Sequence, residues 1–299
     1  MKKLMFVMFA AVVAGVASAE VCIKSGDAIA FMGDSITQQG NRLPAGYVNL
    51  VMKGLEICGV SAKKIPAGIS GHKSVQMNKR LDSDVISKKP QWMTFSCGVN
   101  DVWHDKKGTG VPLEKYKKLV GDIFDRCAAA GIEVIVLTAT MITEDPNAKE
   151  NKKLAAYNDW LRAEAQRRNL RLADLNAAMQ AQLAEIRKTD KTNGNKLTKD
   201  GVHMAYKGNC MMAWGVLKAM GVDESMKEKI FAEFARIPGA CSVTVGVSAD
   251  EYSILESKAK AAGKSVAEFA KDRLFKCSLH VARNPPRRFR LDLRPRGGG

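Results

Sequence analysis

The chain has no Cys-x-x-Cys pair and no His-x-x-x-His pair. These spacings commonly hold zinc, so a zinc site is not expected. Histidine is scarce, with only four, at positions 72, 104, 203 and 280. Any chemistry that needs a proton acceptor near neutral pH therefore has few candidates. The seven cysteines (22, 58, 97, 127, 210, 241 and 277) are odd in number and form no spaced framework, which argues against a disulfide scaffold. Cys97 and Cys127 stand in apolar surroundings, as core thiols do. Beyond the N-terminus no stretch is long and apolar enough to cross a bilayer. Acidic residues are also short, with 31 Asp and Glu against 47 Lys and Arg. Six arginines against one aspartate in 281–299 account for part of that excess, and the rest is spread along the chain. Diffuse positive charge favours solubility and acidic surfaces and names no specific partner.

The 299 residues suffice for one sizeable core with length left over. The first nineteen are read as separate from that core. Lys2 and Lys3 precede an apolar run from Leu4 to Val16, and Ala17-Ser18-Ala19 supplies small residues at the cleavage positions. This is the pattern of a secretory signal peptide cut after Ala19, so a secreted or periplasmic protein is expected. Losing the two lysines lowers the net charge from +16 to +14.

From residue 20 onward, short apolar runs alternate with longer helical patterns. Strands are predicted at Ala28–Met32, Trp92–Cys97, Ile132–Thr138 and Leu170–Asp174, with a poorer candidate at Lys64–Ala67. Ile132–Thr138 is the strongest, being rich in β-branched residues. Helices are predicted over Pro44–Cys58, Ser74–Ser87, Leu113–Ala130 (closed by Gly131), Asn151–Arg168, Leu175–Ile186 and finally Tyr206–Met220. Such alternation implies an α/β fold with a parallel sheet covered on both faces. Working groups in such sheets gather beyond the carboxyl ends of the strands.

Four short segments fit that rule and together supply the parts of a hydrolytic site. Ser35 follows the first strand, Ser70-Gly71 the second and Asn100 the third, with Asp200-Gly201-Val202-His203 further on. A serine hydroxyl attacks poorly until a base takes its proton, and a helix start aimed at it favours developing negative charge. Asp200 and His203 can share one turn, with the carboxylate fixing the imidazole tautomer and the second ring nitrogen facing Ser35. His72 and His104 are the competing bases. Ser35 N–H, Gly71 N–H and the Asn100 amide are the candidate oxyanion donors. Each motif alone is commonplace: Gly-Asp-Ser as a turn, Gly71 as a turn glycine, Asn100 as a strand-end cap. Their joint appearance at successive strand ends carries the reading.

With those residues in view, the chain resembles the SGNH (GDSL-type) hydrolases. The matching blocks are Phe31-Met32-Gly33-Asp34-Ser35-Ile36-Thr37, Gly68-Ile69-Ser70-Gly71, Gly98-Val99-Asn100-Asp101 and Asp200-Gly201-Val202-His203, and the likeness spans roughly 25–222. It implies a three-layer α/β/α sandwich with a flavodoxin-like sheet. It also implies Ser35 as nucleophile, His203 as base, Asp200 as its partner, and an oxyanion hole of Ser35, Gly71 and Asn100. No metal or cofactor is implied. Family members act on acetylated sugars, lysophospholipids and thioesters, and the stretch Asp200–Met212 looks most like carbohydrate deacetylases. Asp34, Trp103 and His104 are candidate substrate contacts, and Tyr47, Trp103 and Met141 can line the pocket.

The catalytic domain is placed at 20–235. Residues 241–280 form a second, small module: an alternating strand over Ser242–Val247, a helix capped by Ser248 and ended by Gly263, and a helix over Val266–Phe275. It resembles a ribbon–helix–helix unit, but the alternate strand face (Thr244, Gly246, Ser248) lacks side chains that read base edges. Nucleic acid is therefore not an expected partner, and so small a module is expected to dock or to form a homodimer. Residues 281–299 are read as a disordered basic tail. The expected function is an exported serine esterase on a small-molecule or carbohydrate ester. The alternatives are a lysophospholipase or thioesterase, a carbohydrate binder on an inactive scaffold, or a DNA-binding regulator that is not exported.

Overall fold

The computed structural model describes residues 20–241 and 245–283, the last nine by backbone alone. They fall into two compact units divided between Cys241 and Ser242. The expected signal peptide (1–19) and most of the expected tail (284–299) lie outside the described residues.

In the larger unit five strands form one sheet: β1 (Ala28–Gly33), β2 (Lys63–Gly68), β3 (Trp92–Ser96), β4 (Glu133–Leu137) and β5 (Arg171–Ala173). Their order is β2-β1-β3-β4-β5 and every pairing is parallel. This is the flavodoxin-like order, which reverses direction between β1 and β3. Val134 to Leu137 are all buried, as a strand covered on both faces must be. The poor candidate Lys64–Ala67 proves to be an edge strand, pairing only with β1 and partly exposed along its length. An edge tolerates Pro66, which has no N–H to donate, so the residues that weakened the sequence signal are those an edge permits.

Nine helices are described in this unit. They are α1 (Ser35–Arg42), α2 (Tyr47–Ile57), α3 (Ser74–Asp84), α4 (Val99–Trp103), α5 (Leu113–Ala129), α6 (Lys149–Arg167), α7 (Leu175–Thr189), α8 (Tyr206–Ala219) and α9 (Lys227–Ala235). α5 shows why such segments are helical: Tyr116, Val120, Ile123, Phe124 and Cys127 recur at helical spacing and are all buried. Two helical layers flank the sheet. In one, α5 packs on α3 and α6; in the other, α8 packs on α2, α7 and α9. The expected three-layer sandwich is present.

Two helices were not foreseen, and a third, α1, was expected only as a helix start at Ser35. α1 buries only Ser35, Ile36, Thr37 and Gly40, so it has no apolar stripe to read. α4 is five residues long. α9 follows α8, which was expected to be the last helix of the domain, and is anchored by only two buried side chains, Ile230 and Phe234.

The register lines up the carboxyl ends. Gly33 lies opposite Gly68, Met32 opposite Phe95, Ser96 opposite Leu137, and Leu137 opposite Ala173. The segments carrying Ser35, Gly71 and Asn100 leave from this one edge. Arg80 of α3 ties part of it together: its Nη2 donates to Gly33 O at 2.9 Å and its Nη1 to Ala67 O at 2.8 Å, with Asp84 pairing its charge.

In the smaller unit α10 (Ala249–Ala261) starts at Ser248, whose hydroxyl accepts from Glu251 N–H while Glu251 accepts from Ser248 N–H. α11 runs from Val266 to Arg283, eight residues beyond the expected end at Phe275 and into the expected tail. Nothing between Phe275 and Arg283 breaks a helix, and the first proline comes at 285. Of the expected strand, Ser242–Thr244 lie outside the described residues, and Val245–Val247 form no strand. Among the described residues this unit offers no second strand to pair with, and a strand needs one.

A Cβ at Gly68 would lie 2.5 Å from Gln38 N and 2.8 Å from Thr37 C, both backbone atoms of α1. Gly68→Ala is expected to lower unfolding stability by about 1–3 kcal/mol in urea titrations, because the helix that begins at Ser35 must move. An unchanged midpoint would refute this close packing.

Candidate active site

Ser35 is the first residue of α1, and Asp34 caps that helix by accepting Ile36 N–H at 2.9 Å. The hydroxyl therefore sits at the positive end of a helix dipole. His203 lies in the irregular segment between α7 and α8. Its Nε2 is 2.9 Å from Ser35 Oγ, and its Nδ1 is 2.6 Å from Asp200 Oδ2. A carboxylate can only accept, so Nδ1 carries the proton and Nε2 is left to accept from the serine hydroxyl. Asp200 Oδ1 also accepts the backbone N–H groups of Val202 and His203. Burial pushes the Asp200 carboxyl up, but the hydrogen bonds from His203 and Val202 outweigh it and leave it below the usual carboxylate range. His72 and His104, the competing bases, take no such position. Burial, with Arg80 in one case and Lys73 in the other, lowers the proton affinity of both.

Asn100 is buried at the start of α4, and its Nδ2 donates to His72 O at 3.1 Å and faces Asp34 Oδ2 at 3.4 Å. Asn100 thus bridges the Gly71 loop and the turn that carries Asp34 and Ser35. Gly71 has φ +76°, and a Cβ there would meet nothing within 4 Å. What glycine supplies is the left-handed backbone rather than space. Behind this loop Asp101 accepts from Ser74 Oγ at 2.5 Å, from Ser74 N at 3.1 Å and from Cys97 Sγ at 3.4 Å. Burial raises the Asp101 carboxyl and, more strongly, the Cys97 thiol. The thiol is held as a donor.

The candidate substrate contacts divide. Asp34 is buried, and both its oxygens face Ile36 N and Asn100, so it works inside the scaffold as a cap rather than on a surface open to substrate. Tyr47 and Met141 are fully buried packing residues, with Tyr47 Oη hydrogen-bonded to Thr37 Oγ1. Trp103 and His104 are half-buried beside each other, and Lys106 Nζ stands 5.2 Å from the Trp103 ring centroid. Trp103 lines a cavity of about 260 Å³ with Val102, Asp105, Lys106 and Lys153. Sequence reasoning missed Arg80, Ser74 and Glu144, which hold the loops; none carries a local signal, since each acts on a partner chosen by the fold.

The profile of the GDSL-like lipase/acylhydrolase family matches residues 31–209, which include every site segment above. The chain belongs to that family. It is a carboxylic ester hydrolase of the SGNH type. A curated relative, the acetylxylan esterase of Geobacillus stearothermophilus, is 26% identical over 218 residues, covering 67% of this chain and 97% of the relative. The crystal structure of that organism's acetylxylan esterase Axe2 superposes with a TM-score of 0.60 at 26% identity, over 68% of this chain and 97% of that one. The acetyl xylan esterase AlAXEase has the same TM-score at 32% identity, over 64% of this chain and 98% of that one.

Burial pushes the Asp34 carboxyl from its ordinary 3.8 up to about 6, against the pull of Ile36 N–H and His203 and helped by Asp101. Between about pH 4 and 6 the folded chain therefore binds more protons here than the unfolded chain, and this group's contribution to stability falls as pH rises. Asp34→Asn keeps an acceptor for Ile36 N–H and removes that slope. The stability of the variant relative to wild type should rise from pH 4 to pH 6 in urea titrations, and parallel curves would contradict the burial.

Proposed function

We propose that the chain is an exported esterase that removes short acyl groups, O-acetyl above all, from carbohydrate through an acyl-enzyme. The observation that carries this reading is the Ser35–His203–Asp200 relay, with hydrogen bonds of 2.9 and 2.6 Å. Ser35 Oγ attacks the ester carbonyl carbon while His203 Nε2 takes its proton. The oxygen that gains the charge receives Ser35 N–H, Gly71 N–H and Asn100 Nδ2–H. The longer Asn100 contact, to Asp34, is the one that oxygen replaces. Collapse expels the sugar hydroxyl, which takes the proton back from His203. Water then attacks the acyl carbon, His203 acting again as base, and the carboxylate product leaves with Ser35 restored.

The relatives support the choice of residues and substrate. Crystal structures of catalytic mutants of Axe2 replace a serine, an aspartate and a histidine by alanine, and that aspartate and histidine are three apart, as Asp200 and His203 are. Acetylated xylan is accordingly the first substrate to test, against lysophospholipids and thioesters. Trp103, three residues after Asn100 and half-buried with Lys106 over its ring, is the aromatic side chain to test as a sugar contact.

Two further proposals concern the whole chain. Export rests on the N-terminal pattern; no helix among the described residues is long and apolar enough to span a membrane. Self-association through 241–280 rests on exposure: Val245, Val247, Tyr252, Ile254 and Leu274, the large hydrophobic side chains exposed among the described residues, all belong to this unit. Native mass spectrometry of the protein purified from the expressing cells and their medium tests both. The expected species is a dimer of chains beginning at Glu20; a chain still beginning at Met1 refutes export, and a monomer refutes self-association.

For the chemistry, Ser35→Ala is expected to abolish hydrolysis of acetylated xylan and of p-nitrophenyl acetate. Asn100→Ala should lower kcat by roughly 10²–10³-fold, as for loss of one oxyanion donor. Retained turnover in the first variant removes Ser35 as nucleophile, and an unchanged rate in the second removes Asn100 from the oxyanion site.

A further inference from the structure

His203 stands in a segment that has no helix or strand of its own to hold it. Between α7 and α8 the chain is irregular, apart from an isolated bridge between Thr198 and Met204. Lys199 N–H donates to His203 O at 2.8 Å and Ala205 N–H to Leu197 O at 2.8 Å, closing 197–205 into a small loop. Such a loop can keep its shape and still swing as a body. A relay that depends on one 2.9 Å contact to Ser35 does not tolerate that swing.

Leu197, Val202 and Met204 seat the loop in the core, and Asn209 donates to Met204 O at its far end; the polar grip on its first residues comes from one side chain. Glu144, in the segment after β4, is buried, with only 4% exposure. Its Oε2 accepts Lys196 N–H at 2.7 Å. Its Oε1 accepts Leu197 N–H at 2.8 Å, Thr198 N–H at 2.7 Å and the Thr198 hydroxyl at 2.8 Å. Three successive backbone N–H groups form a concavity that binds an anion, and here the anion is the protein's own carboxylate. Thr198 extends the grip, since its Oγ1, donating to Glu144, also accepts Gly201 N–H at 3.1 Å, between Asp200 and His203. Glu144 is itself anchored. Asn151 of α6 accepts from Ile142 N–H and donates to the carbonyls of Ile142 and Asp145, and Arg187 of α7 donates to Glu144 O.

We propose that Glu144 is a positioning residue for the hydrolytic reaction: through Thr198 and Gly201 its carboxylate fixes the loop that presents Asp200 and His203 to Ser35. The inference rests on His203 being the base. It adds a residue that touches neither substrate nor the reacting atoms and lies 52 to 54 positions before the groups it binds. The carboxylate is required as such. An amide of the same shape would set an N–H₂ group against a wall of N–H donors and leave some of them buried without an acceptor.

The test uses the full chain with Glu144→Gln, Thr198→Val and Thr198→Ser. On p-nitrophenyl acetate, Glu144→Gln should lose on the order of 10² in kcat with KM little changed, as expected when catalytic groups are misplaced by about 1 Å. Thr198→Val should fall in the same direction, and Thr198→Ser, which keeps the hydroxyl, should restore the rate. The low-field proton NMR signal of His203 Nδ1–H, assigned by its loss in His203→Ala, should broaden or vanish in Glu144→Gln and Thr198→Val. Folded variants with wild-type kcat and an unchanged signal would overturn the proposal, as would Thr198→Ser being as impaired as Thr198→Val. If wild type hydrolyses no ester, the reading of His203 as base fails, while the NMR comparison still decides whether Glu144 holds the loop.

Discussion

The site hangs on one hydrogen bond between residues 168 positions apart, Ser35 Oγ to His203 Nε2. The two partners reach it by different means. Ser35 is carried by the sheet: β1 ends, Asp34 caps α1, and the serine has little freedom left. His203 is carried by a loop whose shape comes from hydrogen bonds to its neighbours rather than from regular structure. The precision of a strand end on one side must be matched by polar contacts on the other, and those of Glu144 with Leu197 and Thr198 are buried where water cannot compete with them.

The same edge of the sheet gathers an unusual amount of buried polarity. Asp34, Asp101, Asn100, Ser74 and Arg80 are all buried within the larger unit, close to a core otherwise built of aliphatic and aromatic side chains. Most of their donors and acceptors are spoken for by backbone of a neighbouring loop: Arg80 by the ends of β1 and β2, Asp101 by the start of α3, Asn100 by the Gly71 loop. Burying such groups costs free energy unless each finds a partner. The return is a set of loops locked to one another in a single arrangement, which suits a site that must stabilise charge without rearranging.

Much of the fold was legible in the sequence because period and punctuation carry it. β4 reads as a strand from Ile, Val and Leu in succession, and α5 from apolar residues at helical spacing closed by Gly131. What was faint or missed failed for the opposite reason. α1, legible only as a helix start, is polar along its length, α4 is barely one turn, and β2, read as a poor strand candidate, contains two lysines and a proline that only an edge position accommodates. For the site, Ser35, Gly71, Asn100, Asp200 and His203 were legible because each stands in a short motif after a strand or within one turn. Asp34 was legible as a motif residue, but its work as a buried cap was not, because burial depends on what packs over it.

The linear chain by itself determined which chemistry is available: a serine after a strand, two histidines (His104 and His203) each with an aspartate three residues before it, amides beside glycine, and alternating elements that must form a parallel sheet. Those are local facts, written in residue type and spacing. Only the tertiary structure decided which of four histidines meets Ser35, which polar residues hold the loops, and that a glutamate from the β4 side grips the segment bearing His203. Contacts of that kind are made through space between segments tens of residues apart. No spacing rule encodes them, because the strand order and register that bring the partners together arise only when the whole core has packed.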